Sequence, residues 1–195
     1  GPSEAPERPD GSAKEPVEPP QDAADGSVAP PEMPEGGGRG GRGGGMDGGF
    51  SSASSGGSIA ISGGTLTIQA SGDGLDANGT IEITGGTTVV TGPTSGDTAV
   101  LDYDTSAAIA GGTFLGTGAA GMAQTFRSAE QGVVAERVSG SAGDEIVLAD
   151  ASGTALLTLS PALDFQFIVL SSPDLVSSET YPLTVGGTST EVQAG

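Results

Sequence analysis

Three segments of this chain share one pattern: SIAISGGTLTIQAS, TIEITGGTTVVTGP and SAAIAGGTFLGTGA. Their Gly-Gly pairs stand at Gly63-Gly64, Gly85-Gly86 and Gly111-Gly112, 22 and then 26 residues apart. Within each segment apolar and small polar residues alternate, which is the period of a strand. Repetition at this spacing marks stacked units that bury a shared core only together. The aligned columns agree: Ile59, Ile81 and Ala107; Ile61, Ile83 and Ile109; Leu66, Thr88 and Phe114; Ile68, Val90 and Gly116. Glycine suits a sharp corner, because without a Cβ it accepts positive φ. The pattern predicts an all-β chain: a right-handed parallel β-helix of about three coils over residues 58–121, hinged at Gly-Gly. Thr65, Thr87 and Thr113 would form an outward ladder. An antiparallel sandwich also uses short strands between turns, but gives no reason to repeat one corner.

A stack of three coils has open ends, with an exposed core and bare strand edges. Either further coils precede it or something caps it. Residues 122–195 offer a cap at one end, a small antiparallel β module. Strands are expected at Gly132–Val138, Glu145–Ala149, Ala155–Leu159, Phe165–Leu170 and Tyr181–Val185, with Asp150-Ala151-Ser152-Gly153 as a hairpin loop. Met122–Gln131 is the one stretch with room for a helical turn or two. Residues 1–57 are Pro- and Glu-rich, then Gly-rich, with too little apolar surface to offset the entropy of ordering. They read as a disordered linker or insert. The chain opens on Gly1 with no basic and apolar leader, and is expected to be a piece of a longer protein.

Composition removes several kinds of chemistry. The 195 residues contain no His, Cys or Trp, which leaves no Ser-His or Cys-His nucleophile and none of the usual zinc, haem or iron–sulfur ligands. A net charge of −19 opposes phosphate neutralisation, so nucleic acid is not an expected partner, despite the GRGGRGGG run at Gly38–Gly45. No apolar run is long enough for membrane insertion. Gly116-Thr-Gly-Ala-Ala-Gly121 matches a dinucleotide-binding pattern, but no helix or βαβ unit follows it.

The charge points instead to cations. Asp76 of LDANGT aligns with Asp102 of LDYDTS, and Asp73 of SGDG with Asp97 of SGDT; Asp104 adds a fifth carboxylate. Stacked coils would set such side chains about 5 Å apart. Like charges that close repel, unless a cation sits between them or some take up protons. Calcium needs six to eight oxygens, and glycine-rich loops present carbonyls freely. The plainer alternative is that each Asp caps its own turn.

The stretches ISGGTLTIQASGDGLDANGTIEITGGTTVVTGP, GDTAVLDYDTSAAIAGGTF, GMAQTF and IVLSSPDLVSSETYPLTVGG, in that order, resemble the C-terminal part of a bacterial carbohydrate-binding domain family. That family is a right-handed parallel β-helix with the shape of polysaccharide lyases, and includes a calcium-containing binder of cellulose and acidic sugars. The resemblance covers about Ser58 to the C-terminus. It implies an extracellular or cell-surface, monomeric, non-catalytic binder of polysaccharide, of the cellulose or acidic plant class. Its cofactor would be calcium, at Asp73, Asp76, Asp97, Asp102 and Asp104. Tyr103, Asp102 and Asn78 are the candidate sugar contacts, with the Tyr103 ring read either as facing outward or as packed on the neighbouring coil. A structural adhesin-type module without sugar binding is the first alternative. A polysaccharide lyase or glycosidase relative is the second, although Arg127 and Arg137, the only basic residues after the linker, lie outside the acidic loops in sequence.

Overall fold

The computed structural model describes residues 56–195. The expected linker therefore lies outside the described residues, except for its last two glycines. The described chain is all-β: twelve strands and no helix.

Three long strands, β1 (Ser58–Gln69), β3 (Thr80–Thr91) and β5 (Ser106–Gly118), carry the three Gly-Gly segments. They pair side by side, parallel, in the order β1-β3-β5. The columns read from the sequence are the laterally paired positions: Ile59 with Ile81 and Ala107, Ile61 with Ile83 and Ile109, Leu66 with Thr88 and Phe114. Thr65, Thr87 and Thr113 pair likewise. The alternation makes this register specific, because a slip of one residue would turn every isoleucine outward. The pairing slips only at the corners, where the second glycines Gly64, Gly86 and Gly112 have φ of 77°, 84° and 80°. Two short strands, β2 (Leu75–Ala77) and β4 (Leu101–Tyr103), lie in the connections between the long ones and pair parallel with each other.

The parallel strands of these two sheets line the first core. Ile81, Ile83, Ile109 and Phe114 come from the long strands, and Leu75 and Leu101 from the short ones. All but Leu75 are at most 1% exposed. Each such side chain contributes roughly 1.5–3 kcal/mol by leaving water.

β5 ends the parallel run. At Ala108–Ile109 it pairs with β6 (Ser128–Ala129). At Phe114–Gly118 it pairs antiparallel with β10 (Phe167–Ser171), which in turn pairs with β7 (Val133–Glu136). The remaining strands are β8 (Ile146–Ala149), β9 (Ala155–Leu159), β11 (Thr180–Val185) and β12 (Thr188–Gln193). They form an antiparallel sheet in the order β12-β11-β8-β9. A second core lies between this sheet and β10, with Ile146, Leu148, Leu183, Ile168 and Leu170 at its centre. β10 alternates between the cores: Phe167 and Val169 belong to the first, Ile168 and Leu170 to the second.

Three expectations need correction. The C-terminal strands are not one module, since β7 and β10 join the sheet of the long strands. Met122–Gln131 holds no helical turn; its backbone bonds go to β5 instead, from the Arg127 amide to Ala107 and from the Glu130 amide to Ile109. Phe126 tucks its ring edge-on against Phe114, with centroids 5.2 Å apart. The strand β12 was not foreseen, because TSTEVQ is polar and buries only Val192.

Candidate functional site on the acidic edge

The pairing of β2 with β4 places Asp76 beside Asp102. Their neighbours Leu75 and Ala77, and Leu101 and Tyr103, are buried. Successive side chains of a strand point to opposite faces, so both aspartates project outward, at about 4.8 Å spacing between paired strands. This is the juxtaposition that the aligned loops predict.

Asp102 carries the electrostatic signature of the edge. Partial burial, then the charges of Asp73, Asp76 and Asp104, raise its pKa above the ordinary carboxylate value. Gln124 opposes the shift, donating from Nε2 to Asp102 Oδ1 at 3.0 Å. Proton uptake by Asp102 is therefore easier in the fold than in the unfolded chain. Stability contributed by this group falls as pH rises from the ordinary carboxylate range through the raised pKa. Asp102→Asn keeps an acceptor for Gln124 and removes the charge. The variant is expected to match the parent at low pH and to have the higher melting temperature at pH 7. Thermal unfolding between pH 3 and 7 reads the difference; identical pH profiles would mean that the neighbouring charges are not felt at Asp102.

The other carboxylates divide. Asp73 Oδ1 accepts from the Ala99 amide at 2.7 Å, so it pins one connection to the next. It stands level with Ala99, not Asp97, because the spacing between β2 and β4 is 26 residues, whereas Asp73 and Asp97 are 24 apart. The expected Asp73–Asp97 match is thus corrected. Asp97 is fully exposed and accepts from the Ser95 hydroxyl, and that bond lowers its pKa. It caps its own turn. Asp104 and Asn78 are exposed beside the edge. Among the described residues, no group of three or more acidic side chains converges as a ready-made metal cage.

Of the two readings open for the Tyr103 ring, the structure takes the packed one. It points inward, 7% exposed, because residues two apart in a strand share a face and Leu101 is in the core. Its hydroxyl donates to the Thr125 carbonyl at 2.6 Å. Its ring cannot serve as an open platform for a sugar. The Arg127 guanidinium carbon lies 5.7 Å from the ring centroid, a cation–π distance. This arginine lies 24 positions along the chain from the tyrosine it meets. Tyr103→Phe is expected to cost about 1 kcal/mol, the net value of one buried hydrogen bond; chemical denaturation measures it. No change would mean that water replaces the bond freely.

Elsewhere, a cleft of about 790 Å³ is bordered by Ser141, Asp144, Asp164, Phe165 and Gln166. Its two carboxylates are engaged with turn amides, Asp144 with Ser141 and Asp164 with Ala142. No sequence pattern announces this cleft, since its lining comes from separate loops. The glycines of the dinucleotide-like pattern have a packing role: a Cβ on Gly116 would lie 2.6 Å from a Val100 methyl and 2.8 Å from the Phe114 ring.

Compared with protein-family models, with curated proteins and with solved structures, the chain matches none of them.

Proposed function

We propose that this chain is part of an extracellular, non-catalytic carbohydrate-binding protein. In this reading its parallel strands are turns of a right-handed parallel β-helix, and calcium at the acidic edge assists the binding of an acidic polysaccharide. The observation that carries the proposal is the in-register pair Asp76–Asp102, with Asp73 and Asp104 close enough to raise the pKa of Asp102. Mutual repulsion of this kind is what a divalent cation relieves. Two carboxylates with a solvated flank fit the weak class of extracellular calcium sites, with Kd of about 10⁻⁴–10⁻³ M. When bound there, calcium would leave coordination positions open for sugar carboxylates and hydroxyls, so an acidic protein holds an acidic chain. Asn78 and Gln124 are the amides nearest in sequence or bonding to supply direct hydrogen bonds. Against lyase chemistry stands the lack of a free basic residue for proton abstraction: Arg127 is stacked on Tyr103.

The test is retention on polygalacturonate and on cellulose, each with calcium and with chelator. Calcium-dependent retention on polygalacturonate, lost in Asp76→Asn and Asp102→Asn, is the expected result. A folded sample that is not retained under any condition would sink the proposal. It would favour a purely structural surface module, a reading that Asp73, Asp97 and Asp150 support because each engages turn or connection groups. Release of reducing ends or unsaturated products would establish an enzyme instead.

A further inference from the structure

The chain contains one asparagine, Asn78, and glycine follows it. An asparagine in that position is open to a reaction of its own. The next backbone nitrogen reaches the side-chain carbonyl carbon, because glycine has no Cβ to stand in the way. Two features of the fold leave this route open. Asn78 is exposed, in the bend between β2 and β3 and outside both strands. The Gly79 amide has no hydrogen-bond acceptor among the described residues. The equivalent amide one coil on, that of Thr105, is engaged, donating to the Gly79 carbonyl at 2.9 Å.

The register says what the reaction would do. Ala77 pairs with Tyr103 at the end of the β2–β4 ladder, and the Asp104 amide donates to the Ala77 carbonyl at 3.2 Å. One residue further, Asn78 stands level with Asp104, and both are exposed. The outward pair Asp76–Asp102 is thus followed by a mixed pair, an amide beside a carboxylate.

We propose that Asn78-Gly79 is a self-modifying site: in the folded protein the Asn78 amide is lost, and the carboxylate that replaces it completes a second acidic pair with Asp104. The Gly79 nitrogen gives up its proton to hydroxide and bonds to Cγ of Asn78. The bond from Cγ to the side-chain nitrogen breaks, and ammonia leaves with a proton from water. A succinimide ring remains. Water opens it at either carbonyl, to aspartate or to isoaspartate, and nothing is oxidised or reduced. Each product adds a negative charge and puts an anionic acceptor where an NH2 donor stood. The isoaspartyl form also lengthens the main chain by one carbon. Gly79 has little room to follow, since the Gly57 carbonyl oxygen lies 2.6 Å from its Cβ position. The aspartyl form is therefore the more stable product.

The test incubates the folded chain at mildly alkaline pH and maps its peptides by mass spectrometry. The peptide that spans Asn78 is expected to exchange the mass of an amide for that of an acid within days. Asn78→Gln, which would have to close a larger ring, stays unchanged over the same time. A folded chain that keeps its amide while the urea-unfolded chain converts would overturn the proposal, because the fold would then shield Asn78. The pairing with Asp104 is read separately, in chelator and at low salt. Asn78→Asp is expected to lower Tm at neutral pH by about 2 °C, the scale of like charges set opposite each other, and to lower it much less in an Asp104→Asn background. An equal drop in both backgrounds would overturn the second acidic pair. Added calcium should close the gap, an expectation that rests on the calcium site of the proposed function. A gap that calcium leaves untouched would count against that site, while the conversion and the pairing, read by mass and by Tm, would stand.

Discussion

Phe114→Ala is expected to lower the stability of the folded chain by about 3–5 kcal/mol, the cost of emptying a large aromatic site in a core. Phe114 is fully buried and does two jobs. It fills the last member of the Leu66–Thr88–Phe114 column, and it receives the edge of the Phe126 ring at 88°. Phe126 belongs to the segment that lies across β5, so the ring contact is where the end of the parallel stack is closed. Urea denaturation should show a lower midpoint at an unchanged slope. Leu66→Ala, in the same column but 36% exposed, should lose much less. A loss below about 1 kcal/mol for Phe114→Ala would mean that Thr88 and Phe126 collapse into the space, and that the closure does not depend on this ring. The double variant with Phe126→Ala should show a coupling of about 0.5–1.5 kcal/mol beyond the two single effects, as aromatic pairs do.

The parallel part of the fold was legible because one period governs both sequence and space. Ile61, Ile83 and Ile109 align in the sequence, and they pair in the structure, since stacked strands with one corner must repeat their side-chain positions. The pairing of Asp76 with Asp102 follows from the same rule. Legibility failed where that rule stops. β10 looks like β8 in the sequence, a short apolar run, and nothing local says that it pairs with β5 while β8 pairs with β11. Only the alternation of Val169 and Ile168 between two cores separates them, and that is a tertiary fact. For Tyr103 the sequence left two readings open, ring outward or packed on the neighbouring coil, and its place two residues from Leu101 on one strand decides for the packed one. Arg127 was missed because a contact across 24 residues leaves no periodic trace.

Gly112→Ala should have an effect as large as Phe114→Ala, by a different mechanism. Gly112 has φ of 80°, a conformation that costs an L-residue about 1–2 kcal/mol. An added Cβ would also lie 2.6 Å from the Gly85 carbonyl carbon and 2.7 Å from the Gly86 oxygen. These are backbone atoms of the neighbouring corner, so they move only if β3 and β5 separate. Loss of 4 kcal/mol or more is expected, or loss of the folded state. Gly64→Ala provides the comparison: φ is 77°, but no described atom lies within 4 Å, so only the conformational cost of about 1–2 kcal/mol remains. The difference between the two variants measures how tightly one corner seats on the next. That seating matters to the proposed function, because β4, with Asp102, leads directly into β5, and its register against β2 sets Asp102 beside Asp76. A Gly112→Ala protein that still folds should therefore bind calcium more weakly than a Gly64→Ala protein of comparable stability. Equal losses in stability for the two variants would show that the corners are set by their dihedral angles alone, and that the acidic pair owes its alignment to the side-chain columns.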